Sequence, residues 1–171
     1  LMSKMKGISK IEIKVIADLE FRKKYYFTAD DISSHFFNIK QRYNTLFILQ
    51  KKGRIIRLNR KKYFLVPIKA RQGRWTDYPF IIADEMCDGK EYFIGGWYAA
   101  HYWGLTDQVP MQVDIYTTKR QGKVELLNSR FVFHRTTFLK IKTKSIAQKI
   151  HHHHFQILRK REAKKWTKSR Q

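Results

Sequence analysis

The chain has 171 residues, 43% of them hydrophobic and 15% aromatic, with 36 Lys and Arg against 14 Asp and Glu for a formal net charge of +22. That apolar content excludes disorder as the default state, and the length allows one ordinary domain or two small ones. So large a cationic excess points to a polyanionic partner, nucleic acid or an acidic membrane surface, although a Lys-rich genome or a hot habitat also raises Lys content. No apolar run is long enough to span a bilayer, no secretory pattern opens the sequence, and the lone Cys87 has no internal disulfide partner. These features make the cytoplasm the expected compartment, with no membrane partner. The charge is segregated: residues 1–70 carry 17 Lys and Arg against 5 Asp and Glu, residues 71–111 carry 3 against 6, and residues 112–171 carry 16 against 3.

Ile11, Val15, Ile16 and Leu19 recur at helical spacing and predict a first helix over about 9–23 with Ser9 as N-cap. Tyr25 to Phe27 form an extended aromatic link. Thr28 then reads as the N-cap of a second helix, with Asp31 at the third position of a capping box and Phe27 and Ile32 at staple spacing. This helix should end near Phe36. A third helix is expected from about Asn38 to Lys52, with Ile39, Tyr43, Leu46 and Leu49 buried and Gly53 as its stop.

A hairpin follows, with Ile55, Ile56 and Leu58 on one strand and Tyr63 to Val66 on the other. Its tip, Asn59-Arg60-Lys61-Lys62, is basic and contains no glycine; Pro67 closes the strand. Two short helices followed by a basic-tipped hairpin have the layout of a winged helix-turn-helix, which lays one helix in the DNA major groove. The candidate DNA-binding residues on the third helix are Lys40, Gln41 and Asn44, with Arg42 and Thr45 at the margin. Such side chains hydrogen-bond base edges or phosphates. Arg57, Arg60, Lys61 and Lys62 on the wing are the candidate phosphate contacts. Polar outer faces and charged hairpin tips also serve solubility alone, so the reading rests on the order of the elements.

Residues 70–78 read as a linker between a domain at 1–69 and a second at 79–171. The second half predicts a helix from Pro79 packing Phe80, Ile81, Ala83 and Met86, then a strand at Tyr92–Ile94 and an aromatic helix over 97–103 stopped by Gly104. Strands follow at Val113–Thr117 and Arg130–Arg135, joined by a basic turn at 119–123. Residues 138–149 have no clear assignment. A last strand is expected at His154–Leu158, and a short helix over 160–168 anchored by Trp166. The expected fold class is α+β: an N-terminal winged helix-turn-helix, then a small α+β domain on a mostly antiparallel sheet.

The wing ending in Lys62-Tyr63-Phe64-Leu65-Val66-Pro67 is followed by Tyr92-Phe93-Ile94-Gly95-Gly96 and then Gly104-Leu105-Thr106-Asp107-Gln108-Val109-Pro110. Over roughly residues 10–140 this order resembles the AbiEi-type antitoxins of type IV toxin–antitoxin systems. The resemblance implies a transcriptional regulator that represses its own operon by binding double-stranded DNA at its promoter. It also implies a nucleotidyltransferase-type toxin as partner; a homodimer is an open option.

Other chemistry is less well supported by the residues. Gly95-Gly96 after a strand, with Asp114 on a later one, has the outline of a nucleotidyltransferase, but metal-dependent phosphoryl chemistry needs paired carboxylates and the residue two beyond Asp114 is Tyr116. Close packing or an unusual backbone angle is the better reading of the two glycines. On a strand only two of His151 to His154 would share a face, short of the four ligands of a structural zinc site. Hence no metal, no cofactor and no catalytic residue is expected. His101 reads as a hydrogen-bonded core residue, Trp97, Tyr98, Tyr102 and Trp103 as core, and Asp84, Glu85, Asp88 and Glu91 as a solvated acidic face. Arg120, Lys123, Arg130 and Arg135, with Lys140, Lys142 and Lys144, are candidates for a second phosphate-contacting surface. The alternatives to a DNA-binding regulator are an RNA-binding or degenerate nucleotidyltransferase-like protein, and an antitoxin acting mainly through protein contact.

Overall fold

In the computed structural model, which describes residues 7–70 and 77–170, Ser9 and Glu12 close the capping box that begins α1 (Lys10–Phe21). The Ser9 N–H donates to Glu12 Oε2 at 3.0 Å, and the Glu12 N–H donates to Ser9 Oγ at 3.4 Å. The chain divides into two units, Leu1–Trp75 and Thr76–Gln171. Most of the expected linker, 71–76, lies outside the described residues.

In the first unit, α1 is followed by β1 (Tyr26–Thr28), a 3-10 helix (Ala29–His35), α2 (Ile39–Lys51), β2 (Ile55–Arg57) and β3 (Lys62–Leu65). This is the winged helix-turn-helix order. The aromatic link becomes a true strand: β1 pairs antiparallel with β3, which pairs antiparallel with β2. The second helix is 3-10 rather than α. Its Asp and Ser side chains compete for backbone groups in place of an α-helical ladder, and the Asp31 carboxylate holds the Thr28 N–H at 2.7 Å and the Thr28 hydroxyl at 3.0 Å. Val15, Ile16, Leu19, Phe27, Ile32 and Leu46 are among the residues of one buried core.

The buried face of α2 differs from the one expected. Leu46 and Leu49 are buried together with Thr45, whereas Ile39 and Tyr43 are 66% and 50% exposed. The cause is Arg42, whose guanidinium donates to the Ala29 carbonyl at 3.2 Å and to Asp30 Oδ1 at 3.0 Å. This turns the row 42, 45, 46 and 49 inward. The wing tip closes without glycine because Asn59 Oδ1 accepts the N–H groups of both Lys61 and Lys62 at 2.8 Å, an Asx-type turn.

The α1 and α2 helices are joined by an ion pair between Glu12, 4% exposed at the side chain, and Lys52, 14% exposed, with Nζ and Oε2 2.7 Å apart. Burial alone raises the Glu12 carboxyl, but the Lys52 and Ser9 hydrogen bonds outweigh it and hold the group below its ordinary value.

The second unit carries a six-stranded sheet in the order β6-β7-β5-β4-β9-β8. Its strands are β4 (Tyr92–Gly95), β5 (Val113–Thr117), β6 (Gly122–Leu126), β7 (Ser129–Arg135), β8 (Ser145–Ile150) and β9 (His153–Leu158). Its helices are α3 (Pro79–Met86), α4 (Gly96–Tyr102), α5 (Phe138–Lys144) and α6 (Lys160–Lys168). The β5–β7 and β4–β9 pairs are parallel and the other neighbours antiparallel, so the whole chain is α+β. Ile82 rather than Ile81 is buried on α3.

The basic turn expected at 119–123 gives way at Gly122 to a further strand, β6, which forms a hairpin with β7. Leu127 and Asn128 at its tip have φ of 51° and 60°, the geometry of a two-residue primed turn. With Leu in place of Gly, this turn carries no strong sequence signal. The unassigned stretch 138–149 becomes α5 and β8; α5 buries only Ile141, so it has no apolar periodicity to read.

Gly95 and Gly96 both mark close approaches. A Cβ on Gly95 would meet the Tyr116 ring at 2.7 Å, and one on Gly96, at φ +60°, would meet Asp114 Oδ2 at 2.5 Å. Gly53, at φ +69°, has open space around it.

This packing makes three stability predictions. Lys52→Met should destabilise the first unit by about 3 kcal/mol, because it leaves a buried carboxylate unpaired; adding Glu12→Gln should recover part of the loss in urea unfolding. Glu12, Asp18 and Asp31 are all held low in the folded state, so their contribution is present at neutral pH. It should begin to be lost as the pH falls through the ordinary values of 4.5 for Glu and 3.8 for Asp, and keep falling to the lowered folded-state values. Gly53→Ala should cost about 1 kcal/mol for its left-handed backbone alone, and Gly96→Ala clearly more, measured as thermal midpoints. Equal effects at the two glycines would contradict the close approach to Asp114.

Candidate nucleic-acid interface

Helix α2 is placed by its N-cap, where Asn38 Oδ1 accepts the Gln41 N–H at 2.8 Å, and by Arg42 and Lys52 at its two ends. The side chains left outward are Lys40, Gln41 and Asn44, all exposed. Among the described residues these three side chains make no hydrogen bond or ion pair. Interleaved with them stand Ile39, Tyr43 and Phe47, one row at four-residue spacing, with Phe47 55% exposed. Lys51 Nζ sits 4.6 Å from the Phe47 ring centroid. The outer face is therefore cationic, amide-bearing and apolar at once. Sequence reasoning missed its apolar row by assigning Ile39 and Tyr43 to the core.

The marginal candidates are not part of this face. Arg42 is committed to the 3-10 helix, and its Nε is buried without a partner among the described residues. Thr45 is buried and its hydroxyl donates to the Gln41 carbonyl at 3.0 Å.

On the wing, Arg57 donates to the carbonyls of Asn59 and Arg60, each at 3.0 Å, and so braces the tip from within. Arg60 and Lys61 are exposed at the tip, with Lys62 partly buried at the start of β3.

Of the seven cations proposed for a second surface, the four Arg120, Lys123, Arg130 and Arg135 are not brought together, whereas Arg135, Lys140 and Lys144 line one cleft. In the β6–β7 register Lys123 lies opposite Val132 and Arg130 opposite Glu125, so Lys123 and Arg130 share one sheet face. Alternation along β7 assigns Arg135 to the other face. Arg120 lies over the Phe133 ring at 4.0 Å, and Arg130 is 4.0 Å from Glu125.

The remaining polar candidates are tied into the second unit. His153 Nε2 lies 2.8 Å from Asp84 Oδ2, and the Tyr92 hydroxyl donates to Asp84 Oδ1 at 2.6 Å while accepting the Gln156 N–H at 3.0 Å. Burial, then Asp84, pushes the Tyr92 hydroxyl above its ordinary value. Asp84 is thus a joint between α3, β4 and β9 rather than part of a solvated face. His151 and His152 occupy the β8–β9 turn, and among the described residues no three His, Cys, Asp or Glu side chains are grouped to hold a metal. His101 Nδ1 lies 3.3 Å from the Thr106 carbonyl. His134 Nε2 lies 2.8 Å from Asp114 Oδ1, to which Gln112 also donates at 3.1 Å. Burial pushes the Cys87 thiol up to about 12, which keeps it protonated. Trp97, expected in the core, is 40% exposed. No helix among the described residues is long and apolar enough to cross a membrane.

No protein-family model matches the chain, and no curated protein matches it in sequence. Among solved structures it is similar to the Rv2827c protein from Mycobacterium tuberculosis, with a TM-score of 0.52 and 12% sequence identity over 85% of this chain and 53% of that one. The chain spans about half the length of that neighbour, and at this identity the likeness is one of fold.

Arg42 and Thr45 provide an internal control for the interface. Arg42→Ala should lower the stability of the first unit by about 1–3 kcal/mol, seen as a lower urea midpoint with an unchanged slope. Thr45→Val should leave nucleic-acid affinity within about twofold in a filter-binding assay, being buried and outside the face.

Proposed function

We propose that the chain is a double-stranded DNA-binding transcriptional regulator in which α2 reads the major groove and the wing tip contacts phosphate. The observation that carries this reading is the outer face of α2, where Lys40, Gln41 and Asn44 stand exposed without partners among the described residues. Lys pairs with guanine and Asn or Gln with adenine, while apolar side chains contact the thymine methyl group. Ile39, Tyr43 and Phe47 supply that last class. Arg60 and Lys61 add exposed charge at the tip, and the net charge of +22 favours fast association with a polyanion.

The Gly95–Pro110 block supports placing this regulator beside the AbiEi-type antitoxins, as an autorepressor of its own promoter. A nucleotidyltransferase-type toxin is then the second expected partner, tested by co-purification with the neighbouring gene product. A nucleotidyltransferase activity for this chain itself is disfavoured, because Asp114 is the single carboxylate on β5 and is held by His134 and Gln112.

Footprinting on the chain's own promoter tests the reading. The Lys40/Gln41/Asn44→Ala variant should lose specific protection, and an unchanged footprint would sink the proposal. Substituting Arg60 and Lys61 by Ala should instead keep sequence preference and reduce the slope of log affinity against log salt by about 2. Replacing thymine by uracil within the protected site, which removes only the methyl group, should weaken binding. If structured RNA competes as well as the promoter duplex at every salt concentration, an RNA-binding function replaces this one.

A further inference from the structure

The second unit contains a cleft that the DNA-reading helix does not explain. Its volume is about 230 Å³, and it is bounded by β4, β5, α5 and α6. Phe93 and Tyr116, a cross-strand pair on adjacent β4 and β5, form an aromatic floor with rings stacked at 5.0 Å and an interplanar angle of 7°, and His134 on β7 stacks on the other side of Tyr116 at 4.8 Å, so the floor offers ring edges rather than a free face. The floor exists because residue 95 is glycine: a Cβ there would meet the Tyr116 ring at 2.7 Å. Lys140 and Lys144, one turn apart on α5, and Glu162 and Trp166, one turn apart on α6, line its sides. Arg135 and Thr136 complete the lining on the α5 side. Trp166 is fixed edge-on against Trp97 at 5.1 Å and carries Arg170 over its ring at 5.2 Å.

The lining holds three cations and one carboxylate. The carboxylate is already engaged, since Glu162 bridges two cations, with Oε1 3.3 Å from Lys165 and Oε2 3.7 Å from Lys144, and the Lys165 hydrogen bond is the main cause that holds its carboxyl low. The Lys140 ammonium has no partner among the described residues. The cleft thus combines net positive charge and a hydroxyl with indole and phenol rings, in a concave site rather than on a flat face. Cations and a hydroxyl suit a phosphate, and flanking aromatic side chains suit a base by stacking.

We propose that this cleft binds a nucleotide, its phosphate held by Lys140 and Lys144 and its base against Trp166. The ligand is either a free mononucleotide or a single unit of a nucleic-acid strand; both present the same chemistry. The proposal stands independently of the major-groove reading of α2.

Calorimetric titration of the full chain tests it with AMP, adenosine, inorganic phosphate and a short single-stranded oligonucleotide. The oligonucleotide arm uses the Lys40/Gln41/Asn44→Ala background, so that α2 does not contribute. Saturable binding of AMP, weakened at least about tenfold by Lys140→Ala/Lys144→Ala, is the expected result, with adenosine and phosphate each binding more weakly than AMP. Binding of the oligonucleotide but not AMP, with the same lysine dependence, assigns the site to a strand instead. Trp166→Leu should weaken the same ligand and provides a second reading if the lysine variant loses its fold by circular dichroism. Lys164→Ala/Lys168→Ala removes the same charge from exposed positions outside the lining; an equal loss in that variant would mean bulk electrostatics and overturn the proposal. So would the absence of saturable binding by both AMP and the oligonucleotide.

Discussion

With 36 Lys and Arg against 14 Asp and Glu, the fold depends on where its few carboxylates stand. A chain of this charge repels itself when compact, and the acids are found where elements meet. Glu12 holds α1 to Lys52 at the end of α2, and Asp18 holds Arg22 and His35. Asp30 and Asp31 fix the 3-10 helix to Arg42 and to Lys24. Asp84 gathers Tyr92 and His153, and Asp114 gathers His134 and Gln112. Exposed pairs of this kind contribute little each, but the buried Glu12–Lys52 pair is strongly destabilising when broken, because the surviving charge stays out of water.

This placement leaves whole surfaces without a counter-charge. On α2, Arg42 turns inward to Asp30 and the Ala29 carbonyl, and the helix presents Lys40, Gln41 and Asn44 outward as a consequence. The same rotation exposes Ile39, Tyr43 and Phe47, which a core would otherwise have used. A structural arginine thus sets the orientation of the surface offered to DNA in the proposed function. The wing follows similar logic: Arg57 and the Asn59 side chain organise the tip so that Arg60 and Lys61 need not.

In the second unit the corresponding constraint is steric. Gly95 and Gly96 permit β4 and the start of α4 to lie directly against Tyr116 and Asp114. The Phe93–Tyr116 stack is laid down by that contact, and with it the floor of the cationic cleft. Substituting either glycine would move strands or rings rather than merely lose an interaction, since the clash is with an aromatic ring in one case and a buried carboxylate in the other.

The winged helix-turn-helix could be read from the sequence because its signals are local: Ser9 and Thr28 cap, Gly53 stops, and two short apolar runs mark the hairpin. These act within a few residues and do not need the rest of the chain. The same holds for Pro79 at the start of α3 and for most strands of the second sheet. What local pattern left undetermined was everything set by partners distant in sequence. The inward face of α2 was decided by Arg42 meeting the 3-10 helix, against the apolar spacing of Ile39 and Tyr43. The β6–β7 hairpin turns on Leu127 and Asn128 without glycine, held by strand pairing. Arg120, Lys123, Arg130 and Arg135, one basic group in sequence, were divided by strand register, since alternate residues face opposite sides of a sheet. Charge and caps are properties of the sequence itself; which cations meet, and which remain free for a partner, is fixed only when register and packing set the distances between them.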